Sequence, residues 1–477
     1  MEVHPGGAEE IRLPGVPPGD RSGLPERPVA VVYGQRWGRQ DKGGRVRCPA
    51  GVGVGADPDI AYDSVLAVAL PRGCRVVCYA DDTIVLAEGD DWGEAAATAS
   101  LAVACVARAI RALGLRVAPQ KSEAIVWHDG SRGRPPPMVV TVEDTTVRVG
   151  SSLKYLGLIL DSRWRFEEHV SRLVPRLTQT AMALGRLLPN LGGPDGRVRR
   201  LYAWTVHAMA LYGAPVWAEQ LGASARLRDM LHRVQRVLAL RAVRAYRTVA
   251  FEAALALAGI PPAELLASAL AGQYRRMREL REREGVLALP ARTREMVRRR
   301  FRRTLALEWQ TRLQEYQQTA GARVVGALAP CLSVWTDRRW GGLSYHTTQV
   351  LTGHGCFGSY LCRIGKEATR RCHHCPVEED TAQHTLEECS AWDVLRRDLR
   401  GVLGREDLSL SSLVEAMLES EGNWRAVTTF CGAVLRIKEE AERERRAEGP
   451  YRVRLGAPRG ARTPPPRRRR GEAGRGG

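Results

Sequence analysis

Arg75-Val76-Val77-Cys78-Tyr79-Ala80-Asp81-Asp82-Thr83-Ile84-Val85-Leu86-Ala87 is the stretch on which the reading of this 477-residue chain turns. Two short runs rich in apolar and β-branched residues flank Ala80-Asp81-Asp82. Such runs suit a pleated, half-buried surface and Asp tolerates turn dihedrals, so the segment predicts a β-hairpin with two carboxylates at its tip. Taken alone, Asp-Asp is simply a good turn. Set after Tyr79-Ala80 and between two apolar strands, the pair also meets the needs of nucleotidyl transfer, which uses two divalent ions roughly 4 Å apart. Carboxylates suit Mg²⁺, a hard cation that prefers oxygen ligands.

Outward from the hairpin, Glu94 to Leu113 is Ala-rich, with Leu101, Cys105, Ala109 and Leu113 four apart. An acidic residue at its start, Arg111 near its end and Gly114 just beyond predict a helix. Val139 to Val149 and Leu153 to Leu160 read as further strands, with Gly150-Ser151 as the turn between them. Hairpin, helix and more strands predict an α+β unit. From Phe166 to about Leu328 the pattern is helical and rich in Arg and Leu, and Arg275 to Arg303 is especially basic. For any one of these Arg, a solvated helix face with ion pairs is the plain reading; for the surplus as a group, nucleic-acid contact is the better one.

Lys and Arg number 72 against 53 Asp and Glu, a formal net charge of +19. Nine Arg and one Glu from Tyr451 to Gly477 supply +8 of it, leaving +11 over the body. An excess of that sign favours a polyanionic partner, nucleic acid before membrane. The composition excludes a fibrous repeat, an acidic solvating protein and a disulfide-dense mini-domain. Eleven Cys in this length are not a secreted scaffold, Met1 to Asp20 lacks a signal-peptide pattern, and Leu201 to Ala218 is interrupted by His207, Gly213 and Pro215. An intracellular, reducing location without a membrane span is the expectation.

Several segments together resemble the reverse transcriptases of insect non-LTR retrotransposons, close to the type inserted in ribosomal RNA genes. Besides Tyr79-Ala80-Asp81-Asp82, these are Gly114-Leu115-Arg116-Val117 with Lys121-Ser122-Glu123, and Leu153-Lys154-Tyr155-Leu156-Gly157. Leu211-Tyr212-Gly213-Ala214-Pro215-Val216-Trp217 and Arg244-Ala245-Tyr246-Arg247-Thr248 look like thumb-side landmarks, and Cys48-Pro49-Ala50-Gly51 resembles a decayed template-contact segment. The resemblance implies that Asp81 and Asp82 are the catalytic carboxylates and Mg²⁺ ligands. It places Tyr79 at the nucleotide pocket, Lys121 near the triphosphate, and Tyr155 and Gly157 in the primer grip.

The departures carry expectations of their own. The family's third carboxylate has no counterpart before Cys48, since Asp20 and Asp41 lie among Gly, Pro and Arg, and Ala50 and Val52 replace the family's Gln and Ser. The expectation is a chain that starts partway through such an enzyme, with its two ions poorly held and a loss of several kcal/mol of transition-state stabilisation.

The second motif is Cys372-x2-Cys375-x8-His384-x4-Cys389. Thiolate and imidazole are the donors Zn²⁺ favours, and four of them close a tetrahedral structural site with no open position. His373 and His374 lie inside the knuckle and are less well placed. Arg370 and Arg371 beside it fit phosphate contact. Thr352-Gly353-His354-Gly355 reads as a turn.

The whole predicts an α+β chain: a Gly/Pro-rich segment over 1–45, a partial polymerase palm over 46–165 and a basic helical thumb and connection over 166–330. A small zinc knuckle module over 331–400, a helical segment over 401–446 and a disordered Arg-rich tail over 447–477 complete it. By resemblance the activity is RNA-directed DNA synthesis within a retrotransposon polyprotein, the partners are an RNA template and a DNA target or primer, and the location at integration is the nucleus. The alternative is a non-catalytic nucleic-acid-binding protein that keeps the zinc module and basic helices beside a relic palm.

Overall fold

Asp82–Glu88 is buried without a break from Thr83 to Ala87, as is its neighbour Val29–Gly34 from Val29 to Tyr33, so these strands are covered on both faces. The computed structural model describes residues 27–34, 39–40, 46–47, 65–80, 82–316 and 318–448. These divide into two compact units, Met1–Val243 with Ala250–Thr336, and Arg244–Val249 with Asp337–Gly477. Asp81, Cys48, Ala50, Val52 and the Arg-rich tail lie outside the described residues.

In the first unit, β1 (Val29–Gly34), β2 (Cys74–Tyr79), β3 (Asp82–Glu88), β4 (Glu123–Trp127), β5 (Val139–Val142) and β6 (Thr145–Gly150) form one sheet in the order β2-β3-β1-β4-β6-β5. The expected hairpin is β2–β3, its last pair Tyr79 opposite Asp82 and Ala80 at positive φ in the turn. One sheet face, including Ala30, Val32, Val85, Ala87 and Val126, packs against α1 (Trp92–Ala112). Burying a Val-sized side chain stabilises by roughly 1.5–3 kcal/mol, so this face alone accounts for much of the sheet's cohesion. The helix is capped by Asp91, whose side chain accepts from Glu94 N.

One expectation needs correcting, and one feature was not foreseen. The buried stripe of α1 is Ala95, Ala99, Ala102, Val103, Val106 and Ile110, while Leu101 is 61% exposed. Small side chains let the helix lie close on the sheet, and a Leu there would hold it off. The two long strands also break. Val139 to Val149 is a hairpin that turns at Glu143-Asp144, and Leu153 to Leu160 is a second one, β7 (Ser152–Tyr155) with β8 (Leu158–Asp161), turning at Leu156-Gly157.

β7 and β8 cover the other face of the sheet. Val77, Ile84, Leu86, Trp127, Tyr155, Leu158, Leu160 and Trp164 line an apolar pocket there. The chain then turns helical, as expected, through α2 (Glu167–Gly185), α3 (Gly196–Ala210), α4 (Ala214–Ala223), α5 (Ala225–Ala242), α6 (Phe251–Ala258), α7 (Ala263–Glu284) and α8 (Ala291–Gln314). Arg199 is fully buried and donates to the carbonyls of Pro189, Gly192, Pro194 and Arg241.

The second unit is helical around the last long helix, Glu421–Glu448. Trp424, Val427, Phe430, Cys431, Val434 and Leu435 give it a buried stripe at helical spacing. Arg244–Val249 belongs to this unit, with Tyr246 Oη 2.5 Å from Tyr345 Oη and Thr248 Oγ1 3.0 Å from His354 Nδ1. His354 follows a helix-ending Gly353 and stacks on Tyr360, so it serves a turn.

Candidate functional site

Asp82 opens β3 at the end of the hairpin, and the register of the sheet sets what surrounds it. Tyr33 lies opposite Ile84 on one side and Glu123 on the other, so residues 33, 82, 84 and 123 share one face. Tyr33, only 3% exposed, donates its phenol proton to Asp82 Oδ1 at 2.6 Å. Tyr155 packs edge-on to Tyr33 with ring centroids 5.5 Å apart. Burial first, and the Asp82 charge second, push the Tyr155 phenol up to about 12, so it stays protonated. Glu123 accepts from the backbone N–H of Lys154 at 3.0 Å.

The expected site residues are thus brought together in part. Asp82, Tyr155 and the turn at Gly157 share one region, and Tyr212 Oη donates to the Leu156 carbonyl at that turn. Gly157 has a φ of +83° and sits against Tyr212, so the turn requires a glycine. Tyr79 is exposed beside the tip, and Lys121 is an exposed residue of the short turn Pro119–Lys121. Among the described residues, Asp82 is the one carboxylate at the tip, and β1 presents the Tyr33 phenol to it. The described residues do not by themselves make a two-ion site. Tyr33 went unnoticed in the sequence because a Tyr at the end of an apolar strand is ordinary β composition.

The second unit holds a more complete cluster. Cys372, Cys375, His384 and Cys389 each offer one ligand atom, all within 4.8 Å of one another. Cys372 Sγ is 3.9 Å from Cys389 Sγ, and Cys375 Sγ is 3.3 Å from His384 Nε2. Cys372 and Cys375 come from the loop before Ala382–Glu387, that helix carries His384, and Cys389 follows it. Thr381 caps the helix by accepting from His384 N. Burial pushes the Cys389 thiol up to about 12 and raises Cys372 too. Three thiols and an imidazole gathered in a buried space are the donor set of a soft or borderline cation, which would displace the thiol protons. His373 and His374 are outside the cluster, as expected.

Charge is distributed unevenly along α7 and α8. In α7, Arg276 pairs with Glu279 and Arg278 with Glu282. In α8, Arg299 and Arg302 share Glu295, while the exposed Arg292, Arg294, Arg298, Arg300 and Arg303 have no carboxylate partner among the described residues.

The chain is homologous to Pol polyproteins of insect type-1 retrotransposable elements R1. It is 28% identical over 384 residues to the 115 kDa protein in the type-1 retrotransposable element R1DM of Drosophila melanogaster, covering 79% of this chain and 36% of that protein. It is 25% identical over 341 residues to a retrovirus-related Pol polyprotein from an R1 element of Nasonia vitripennis, covering 67% of this chain and 85% of the relative. A Pol polyprotein of the R1 element of Bradysia coprophila is 26% identical over 280 residues, with 27% of its length covered. The chain therefore spans about a third of the length of the Drosophila relative. No family model and no solved structure matches it.

Proposed function

We propose that the chain is the reverse-transcriptase-derived part of a type-1 retrotransposon Pol protein and that it acts in RNA-directed DNA synthesis, on an RNA template with a DNA primer. The observation that carries this reading is the carboxylate hairpin, Asp82 at the start of β3 near Tyr155 and the Gly157 turn, in a chain whose relatives are R1 Pol polyproteins. In this reading Asp81 and Asp82 are the Mg²⁺ ligands, Tyr79 borders the nucleotide and Lys121 meets the triphosphate. The β7–β8 hairpin with Tyr155 and Gly157 steadies the primer end. Mg²⁺, when bound, would supply charge neutralisation at the phosphate and activate the primer hydroxyl. The unpaired arginines of α8 supply phosphate contacts that are indifferent to sequence. The Cys₃His cluster is a structural zinc site.

A second reading, a non-catalytic nucleic-acid-binding protein, is favoured by one specific observation: the Tyr33 phenol occupies Asp82 Oδ1 from a strand that carries no carboxylate. Primer extension on an RNA template with Mg²⁺ separates the two. Incorporation that disappears in Asp81→Ala and Asp82→Ala supports the polymerase. Tight template–primer binding without incorporation supports the binder, and failure to bind nucleic acid at all sinks both. Tyr33→Phe sharpens the comparison, because releasing Asp82 should raise divalent-ion occupancy at the tip if the phenol withholds it.

A further inference from the structure

The last helix carries its buried stripe through residues 424, 427, 431 and 434, and the next position in that phase is Lys438. A lysine there is 2% exposed, and an unpaired buried ammonium would cost several kcal/mol. Its partners are on hand. Lys438 Nζ donates to Asp380 Oδ1 at 2.7 Å, to Asp380 Oδ2 at 2.9 Å and to Thr385 Oγ1 at 3.1 Å, and lies 5.3 Å from the centre of the Phe357 ring. Asp380, itself 3% exposed, also accepts from Gly358 N at 2.9 Å and from Thr385 Oγ1 at 3.4 Å. The lysine and the backbone N–H fix the carboxylate, while the one Thr385 proton also has the Thr381 carbonyl at 3.0 Å, so Oδ1 keeps room for a further donor.

His384 is also 3% exposed, its Nε2 is on the side of Cys375, and its Nδ1 is buried with no hydrogen-bond partner. The acidic oxygen facing Nδ1 is Asp380 Oδ1, at 3.6 Å. An imidazole that ligates a metal through Nε2 carries its proton on Nδ1, and that proton needs an acceptor. Charge points the same way. A dication with three thiolates is −1, Asp380 makes the locality −2, and Lys438 returns it to −1.

We propose that Asp380 and Lys438 are positioning residues of the Cys₃His centre: Asp380 orients His384 for metal through Nδ1, and Lys438, from the last helix, holds Asp380 in place. The inference rests on the zinc reading of the cluster. It makes the helix Glu421–Glu448 part of the metal centre although it donates no ligand.

The test uses the full chain loaded with Zn²⁺, with affinity read by chelator competition, and Co²⁺ absorption used to check that the thiolate set is intact. Asp380→Asn and Lys438→Met are each expected to weaken Zn²⁺ binding by about 10–100-fold while the tetrahedral Co²⁺ spectrum persists. Because Lys438→Met leaves a buried carboxylate unpaired and can fail to fold, the double variant Asp380→Asn/Lys438→Met is measured as well. It should bind no more weakly than Asp380→Asn alone, since both act through one chain of contacts. In the wild type the His384 Nδ1 proton should give a sharp, exchange-protected imidazole resonance that is lost in Asp380→Asn, which a purely structural role would not cause. Folded variants with wild-type affinity and an unchanged His384 resonance overturn the proposal. A wild-type chain that takes up no Zn²⁺ overturns the zinc reading instead, and the two failures are told apart by that first measurement.

Discussion

Lowering the pH toward 2 should remove the contribution of one buried network in the first unit. Glu264, 9% exposed, accepts from His232 Nε2 at 2.7 Å and from Arg312 Nη1 at 2.5 Å, while Arg312 Nη2 reaches Glu252 at 2.6 Å. Burial raises the Glu264 pKa, but hydrogen bonds and charge from His232 and Arg312 outweigh it and hold the carboxyl at about 2, against an ordinary 4.5. A carboxyl whose folded pKa is depressed adds stability above its unfolded pKa and loses it as the pH falls through the folded one. The contribution should therefore be complete above about pH 4.5 and gone near pH 2. At about 1.4 kcal/mol per pKa unit the depression corresponds to about 3 kcal/mol. Hydrogen exchange of the amides in α6, α7 and α8 reads the packing locally, without requiring the whole chain to unfold in one step. Wild type and Glu264→Gln should differ by about 3 kcal/mol at pH 7, and the gap should close between pH 4.5 and 2. A gap that does not change with pH over that range refutes the reasoning.

Three further measurements probe the rest of the first unit. Changing Arg298, Arg300 and Arg303 to Gln should flatten the plot of log affinity against log salt by about 0.9 for each phosphate no longer neutralised, whereas Arg276→Gln and Arg278→Gln, whose charges are already paired, should change it little. Equal slopes for both sets would remove the unpaired face of α8 from the nucleic-acid reading. Arg199→Met should cost about 3–5 kcal/mol in denaturant unfolding of the first unit, because four backbone carbonyls are left without their donor. Ile110→Ala should cost about 2–5 kcal/mol and Leu101→Ala under about 0.5, which tests which stripe of α1 is the core.

How far the fold was legible depended on the distance over which each feature is decided. The β2–β3 hairpin was readable because turn residues and β-branched flanks lie within one segment. The helix α1 was readable from its ends, but its buried face was not, since Leu101 is more apolar than Ala95 or Ala99 and yet faces out. Closeness of approach to the sheet decides that, and a hydropathy pattern does not contain it. The two broken strands show the reverse. Glu143-Asp144 and Leu156-Gly157 are turn signals inside apolar runs, and Glu143 and Leu156 pay for those turns with positive φ.

The candidate sites obey the same rule with a chemical twist. The Cys₃His cluster spans residues 372–389, so spacing alone brings its ligands together. Tyr33 lies 49 residues from Asp82, and Lys438 lies 58 from Asp380, and neither partner is visible locally. In the structure Lys438 continues the buried helical phase of Val427, Cys431 and Val434. These partners decide what each aspartate can do. Asp380 is held by a lysine and a backbone N–H and is not one of the four clustered donors, so its part is to brace a ligand. Among the described residues the Asp82 carboxylate accepts one side-chain bond, from the Tyr33 phenol, so there an incoming cation competes with a proton donor of no net charge. A carboxylate in that state can still be recruited. That is why the hairpin keeps the polymerase reading open to experiment while Tyr33 stands against it.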